Sequence, residues 1–218
     1  VLRYRGGPVR GGEPVPPARD RLAEGEARYR YSVAWIDLLA RGKNLGRSVM
    51  LQGDFASAEA LAQVRPRERA RLAYEPPSMI PAPPAPSGLV NRWSIRAFNE
   101  LWYRKSPKRR RNEVQSIESF FYPLDMLDHW PRLYGPKGFL QWQCLLPYGQ
   151  EDVLRQIIEA IAGSHSASFL AVLKRFGPAN PGPISFPSPG WTLNLDMPAG
   201  DPDLARLLRR LDQVVAEA

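Results

Sequence analysis

The strongest constraint on this chain is a two-residue period in its second half. In residues 191–197 (WTLNLDM), Trp191, Leu193, Leu195 and Met197 alternate with Thr192, Asn194 and Asp196. Successive strand side chains point to opposite faces, so this segment reads as a strand with one apolar and one polar face. Residues 138–147 repeat the pattern: Leu140, Trp142, Cys144 and Leu146 fall on one side, and Phe139, Gln141 and Gln143 on the other. Residues 168–176 (SFLAVLKRF) read as a third strand, stopped by Gly177-Pro178, with Leu170, Val172, Lys174 and Phe176 on one face. The period changes to 3.6 over 151–162, where Val153, Leu154, Ile157, Ile158 and Ile161 share a helical face. Asp201 is placed to cap a last helix carrying Leu204, Leu207, Leu208, Leu211 and Val214 or Val215. The order is β-α-β-β-α. The predicted fold class is α+β: an antiparallel sheet with helices on one face. Its C-terminal half is expected to be a ferredoxin-like unit lacking its last strand.

The first half is less regular. Residues 1–25 are rich in Arg, Gly and Pro and show no period, which predicts a disordered or non-native tail. Tyr29, Tyr31, Val33 and Trp35 alternate as a strand, and Ser48–Phe55 reads as its antiparallel partner across a turn at 42–46. Ser57 is placed to cap a helical turn over 58–63. The proline-rich stretch 76–88 is expected to be an extended connection, since proline supports neither a helix interior nor a sheet ladder. One domain is therefore expected over 26–218.

The chain carries a net charge of +8, and that charge is localised. Residues 104–111 (RKSPKRRR) hold six positive and no negative charges, while the bulk of the chain is nearly neutral. This run reads as a solvated loop or hairpin. A non-catalytic basic module that binds RNA or anionic membrane through 104–111 is the alternative reading. The aromatics of the expected strands lie away from that run, without stacking-platform spacing, so no nucleic acid partner is expected. One cysteine excludes an intrachain disulfide, and Cys144 falls on an apolar face, where it reads as a packed small hydrophobe. Two histidines, His129 and His165, leave little for a metal centre, so none is expected. No apolar run is long enough to span a membrane and no leader pattern is visible; the expected location is cytoplasmic or peripheral to a membrane. There is neither G-x-G-x-x-G nor a P-loop, hence no recognisable nucleotide-phosphate cradle.

The polar strand faces carry the functional question. Gln141, Gln143, Thr192 and Asn194 are read either as a wet sheet face or as a surface facing a ligand. Lys174, framed by apolar neighbours on its face, either snorkels to water or pairs with an anion. If it joins the polar face, the constellation suits a polyhydroxylated, negatively charged ligand.

Several segments carry a family resemblance: ARYRYSVAWID (27–37), LGRSVMLQGDF (45–55), ELWYRKS (100–106), FFYPLDMLDHWPRLYGPKGFLQWQ (120–143) and SFLAVLKRFGPANPGPISFPSPGW (168–191). They resemble the substrate-binding half of FAD-linked oxidases of the vanillyl-alcohol oxidase type, over about residues 26–218. The resemblance implies a truncated substrate-binding (cap) domain whose FAD-binding domain is absent here. It implies FAD as cofactor in the parent enzyme and a polyprenyl-phosphate-linked sugar as substrate. The C2 hydroxyl of a ribose would be oxidised to a ketone, the first half of an epimerisation to arabinose, with an NAD(P)H-dependent reductase as companion. It places Lys174 in a catalytic role. Trp35, Gln141, Gln143, Leu170, Val172, Phe176, Thr192 and Asn194 are placed on the pocket wall. Thr192 and Asn194 depart from family members that carry Asn and Cys there.

Overall fold

The computed structural model describes residues 2–9, 29–70, 80–86, 88–106, 110–121, 127–164, 166, 168 and 170–218. Its strands are β1 (Leu2–Val9), β2 (Tyr31–Ile36), β3 (Ser48–Phe55), β4 (Ile80–Pro81), β5 (Arg110–Gln115), β6 (Leu127–Asp128), β7 (Phe139–Pro147), β8 (Ala171–Phe176) and β9 (Gly190–Pro198). Its helices are α1 (Ala58–Ala62), α2 (Pro66–Ala70), α3 (Arg92–Lys105), α4 (Ile117–Phe121), α5 (Glu151–Gly163) and α6 (Leu204–Ala216). Seven strands form one sheet in the order β5-β1-β3-β2-β8-β9-β7, every neighbouring pair antiparallel. β4 and β6 form a separate parallel pair.

The α+β class read from the sequence is the observed one. β9 lies between β7 and β8 and runs antiparallel to both, with α5 making the crossover from β7 to β8. This is the split β-α-β arrangement of a ferredoxin-like unit. β7 is the outer strand of the sheet, the side on which the last strand of such a unit pairs.

Helices α5 and α6 cover one face. Leu154, Ile157, Ile158 and Ile161 of α5 and Leu204, Leu207 and Leu211 of α6 pack on Cys144, Leu146, Leu173, Leu193, Leu195 and Met197. Each such side chain contributes about 1.5–3 kcal/mol through burial. Ala34 and Ile36 of β2 and Met50 of β3 extend the same core. Short α4 sits on the opposite face, where Phe120 packs against Tyr31 and Leu51.

β2 and β3 pair as expected, from Tyr31↔Gly53 to Ile36↔Ser48, and Ser57 Oγ caps α1 by accepting from Ala60 N at 3.2 Å. The strand expected over 168–176 starts at Ala171, because Ser168 Oγ donates to the Leu170 carbonyl, which also accepts from Asp196 N. Asp201 does not cap α6 itself. It holds the turn before it, accepting from Asp203 N on Oδ1 and from Leu204 N on its carbonyl. Residues 2–9 depart from the expected tail: β1 pairs with both β3 and β5, and this double backbone ladder supplies the stabilisation that composition alone did not suggest. Residues 10–28 lie outside the described residues, as do 71–75 and, within the proline-rich connection, 76–79 and 87. The basic run is divided rather than forming one loop. Arg104 and Lys105 close α3, residues 107–109 lie outside the described residues, and Arg110 and Arg111 open β5.

A buried polar knot fixes the end of β2 to α3. Arg47 Nε donates to Asp37 Oδ2 at 2.8 Å, its Nη1 reaches Glu100 Oε2 at 2.7 Å, and Asn99 Nδ2 donates to Asp37 Oδ1 at 2.7 Å. The Arg47 guanidinium holds the Glu100 carboxyl below the usual carboxylate range. Nearby, Arg41 and Arg92 both donate to the Ala162 carbonyl in the last turn of α5, where a cation complements the helix dipole.

Candidate substrate-binding face

Opposite α5 and α6, the sheet register gathers the polar strand positions. One row runs Val49, Trp35, Val172, Asn194, Gln143 across β3, β2, β8, β9 and β7. The next runs Leu51, Val33, Lys174, Thr192, Leu145. Gln141 stands opposite Asp196, and Phe176 opposite Gly190. Of the nine residues singled out from the sequence, eight therefore share one face of contiguous strands. Leu170 immediately precedes β8 and is half-buried.

Side-chain bonds order this face. Gln143 Nε2 donates to Thr192 Oγ1 at 2.8 Å, and Gln141 Nε2 donates to Asp196 Oδ1 at 2.9 Å. Thr192 and Asp196 are buried, while Gln141, Gln143 and Lys174 are exposed. Lys174 has no hydrogen-bond or ion-pair partner among the described residues. The Asn194 Oδ1 and Asp196 Oδ2 atoms are buried with no partner among those residues. Burial raises the Asp196 carboxyl above its ordinary range, and the Gln141 N–H offsets part of that rise.

Aromatic side chains close one end of the face. Tyr134 stacks on Phe139 with ring centroids 4.7 Å apart, and Trp130 lies 5.1 Å from Phe139. Burial pushes the Tyr134 phenol upward. Trp130 is half-buried, whereas His129 is exposed beside Asp128 at 3.3 Å, with a left-handed φ of 55°. At the other end, Phe186 meets Phe176 edge-on at 6.1 Å. The face itself is an open wall. One hollow of about 330 Å³ lies at the β7 edge against the end of α6, and another of about 460 Å³ lies around Asn91, Tyr134 and Gly200.

Cys144 sits in the covered core, and burial pushes its thiol up to about 11, so it is an inert packing residue, as its strand position indicated. Asp196 was not among the singled-out site residues. Its place in the Thr192-Asn194-Asp196 alternation was the signal for it, and its bond to Gln141 shows the connection. No cluster of three or more His, Cys, Asp or Glu suited to a metal ion occurs among the described residues.

Comparison with known proteins finds relatives along most of this chain. The chain is 39% identical over 195 residues to a protein of Mycolicibacterium smegmatis. That relative is a decaprenylphosphoryl-beta-D-ribose oxidase. The aligned part is 88% of this chain and 41% of the oxidase, consistent with a substrate-binding half of it. The resemblance read from the motifs is thereby shown. A second relative, the "uncharacterized protein in mprA 5'region" of Streptomyces coelicolor, is 36% identical over 208 residues, covering 91% of this chain and 55% of the relative. The chain thus spans about half the length of the curated relatives it matches. No family model matches it.

Proposed function

We propose that this chain is the substrate-binding half of an FAD-dependent oxidase acting on a polyprenyl-phosphate-linked ribose. The reaction would convert the C2 hydroxyl to a ketone, the first half of an epimerisation to arabinose. The observation that carries this reading is a cation, Lys174, without a partner among the described residues and set among Gln141, Gln143, Thr192 and Asn194 on one open sheet face. Such a face offers hydroxyl-binding amides and one charge for an anionic sugar derivative.

Lys174 would stabilise negative charge developing at the reacting centre or hold a substrate oxygen. Gln141, Gln143 and Asn194 would orient sugar hydroxyls. Thr192 braces Gln143, while Trp35, Leu170, Val172 and Phe176 form the apolar part of the wall. This face fits one side of a planar ring system, with apolar ground, amides and a cation, and it contains no phosphate cradle. FAD, if bound by the parent enzyme, would supply the hydride acceptor for the alcohol oxidation. A companion NAD(P)H-dependent reductase would return hydride to the ketone from the other side of the ring. The lipid tail implies work at a membrane surface, and the basic residues at the end of α3 and the start of β5 suit a peripheral contact there. No helix among the described residues is long and apolar enough to cross a membrane.

Calorimetric titration of the chain with a soluble, short-prenyl phosphoryl β-D-ribofuranose tests the assignment. Lys174→Met is expected to weaken binding about ten-fold or more, the scale of losing a charge-assisted bond. Charge reversal at Arg110 and Arg111 is expected to leave the sugar affinity within about two-fold, which lies below a net hydrogen bond. An undiminished affinity in Lys174→Met would refute the assignment.

A further inference from the structure

Asp196 lies at the floor of the open face, fully buried, and its only side-chain partner among the described residues is the Gln141 amide. An ionised carboxylate can only accept hydrogen bonds. The Gln141 NH2 group must therefore turn down toward Asp196, and the bond of 2.9 Å shows that it does. The Gln141 carbonyl oxygen is left on the exposed side of the strand. Thr192 does not impose this on Gln143, because a hydroxyl both donates and accepts. Among the described residues Oδ2 of Asp196 has no partner, so none of them competes with Gln141 for that carboxylate.

We infer that Asp196 is a positioning residue that fixes the polarity of Gln141, so that the open face takes a hydrogen-bond donor there. This rests on the sugar-binding reading above and sharpens it. The group over Gln141 is a free hydroxyl, not a carbonyl or an ether oxygen. Where that hydroxyl is the one oxidised, the ketone formed can no longer donate, and the bond to Gln141 is lost on product formation. The face thereby distinguishes the alcohol from the ketone through one amide orientation.

The test uses short-prenyl phosphoryl β-D-ribofuranose and its 2-deoxy-2-fluoro and 3-deoxy-3-fluoro analogues, since fluorine is close in size to hydroxyl and cannot donate. The chain is expected to bind one of the fluoro analogues at least ten-fold more weakly than the parent sugar, a loss of about 1.4 kcal/mol. Asp196→Asn keeps the shape but offers either an N–H or a carbonyl to Gln141, so the amide is free to reverse. That variant is expected to reduce the discrimination to about two-fold, less than a net hydrogen bond is worth. A purely structural role would weaken all three sugars by the same factor and leave the ratio unchanged, which overturns the inference. Neutron diffraction of the deuterated chain supplies a readout without ligand. The Gln141 amide nitrogen should lie on the Asp196 side in the wild-type chain, with one of its deuterons directed at Asp196 Oδ1, and a Gln141 carbonyl oxygen found on that side would overturn the inference. A chain that binds none of the sugars refutes the proposed function, while the neutron result still decides the polarity of Gln141.

Discussion

The two faces of β7, β8 and β9 come from the same alternating residues and carry opposite burdens. The covered face buries Leu173, Leu193, Leu195 and Met197 completely against α5 and α6. The open face presents Lys174, Gln141 and Gln143 to solvent, above the buried Thr192 and Asp196. Stability resides on the covered face, and the recognition proposed for this chain lies on the open one. A single residue therefore affects mainly one property, according to whether its position in the strand is odd or even.

The largest effect that could break this division belongs to the covered face. Leu193→Ala removes a fully buried side chain and is expected to destabilise the chain by about 2–5 kcal/mol in urea unfolding. Its sugar affinity, measured on the folded fraction, should stay close to wild type. Gly190→Ala comes next. A Cβ there would stand 2.3 Å from the Leu146 carbonyl oxygen, so β9 must shift from β7, at an expected loss of about 1–3 kcal/mol by thermal melting. Because Gly190 pairs with Phe176, this variant should also weaken sugar binding.

Smaller effects sharpen the comparison. Thr192→Val keeps the volume but removes the acceptor of the Gln143 bond, at about 0.5–1.5 kcal/mol in stability. Lys174→Met should leave unfolding within about 0.5 kcal/mol of wild type, as for an exposed side chain without partners. The smallest effect concerns pH. Because burial raises the Asp196 carboxyl, the folded state binds its proton more readily than the unfolded chain does. Above its folded-state value the wild-type chain thus bears a buried charge that Asp196→Asn lacks. Asp196→Asn is expected to melt higher at pH 7, with the gap closing as pH falls through the folded-state value toward the ordinary Asp range near about 4. A gap that widens on acidification would contradict the direction of that shift.

Much of this division was legible before any coordinates. Period-two alternation sorts side chains between faces whatever the strand pairs with, so Gln141, Gln143, Thr192 and Asn194 separated from Trp142, Cys144, Leu193 and Leu195 in the sequence alone. The helical face of α5 was equally clear from its 3.6 period. Pairing order was not legible, since it depends on contacts between segments far apart in the chain. β1 shows this: Leu2–Val9 (LRYRGGPV) lacks alternation and contains two glycines and a proline, and it becomes a strand through the ladders of β3 and β5. The knot of Asp37, Arg47, Asn99 and Glu100 was hidden for a similar reason. Charged residues far apart in sequence read as solvated until the fold brings them together. α3 reverses the usual expectation, burying Ile95 and Asn99 while Trp93 and Leu101 stay exposed. The role of Asp196 needed the geometry too, because a hydrogen bond between neighbouring strands has no sequence signature.

The central claim is that the open face of β7, β8 and β9, and not the basic run at 104–111, meets the ligand. Its most direct test is a two-dimensional NMR titration of the 15N-labelled chain with short-prenyl phosphoryl β-D-ribofuranose, recorded alongside a titration with an RNA oligonucleotide. The expected result is saturable shifts from the sugar at Gln141, Gln143, Val172, Lys174, Thr192 and Asn194, with the side-chain amides of both glutamines among the largest. Shifts confined to residues 104–106 and 110–111, common to sugar phosphate and RNA, would contradict it and identify the chain as a basic anion-binding module.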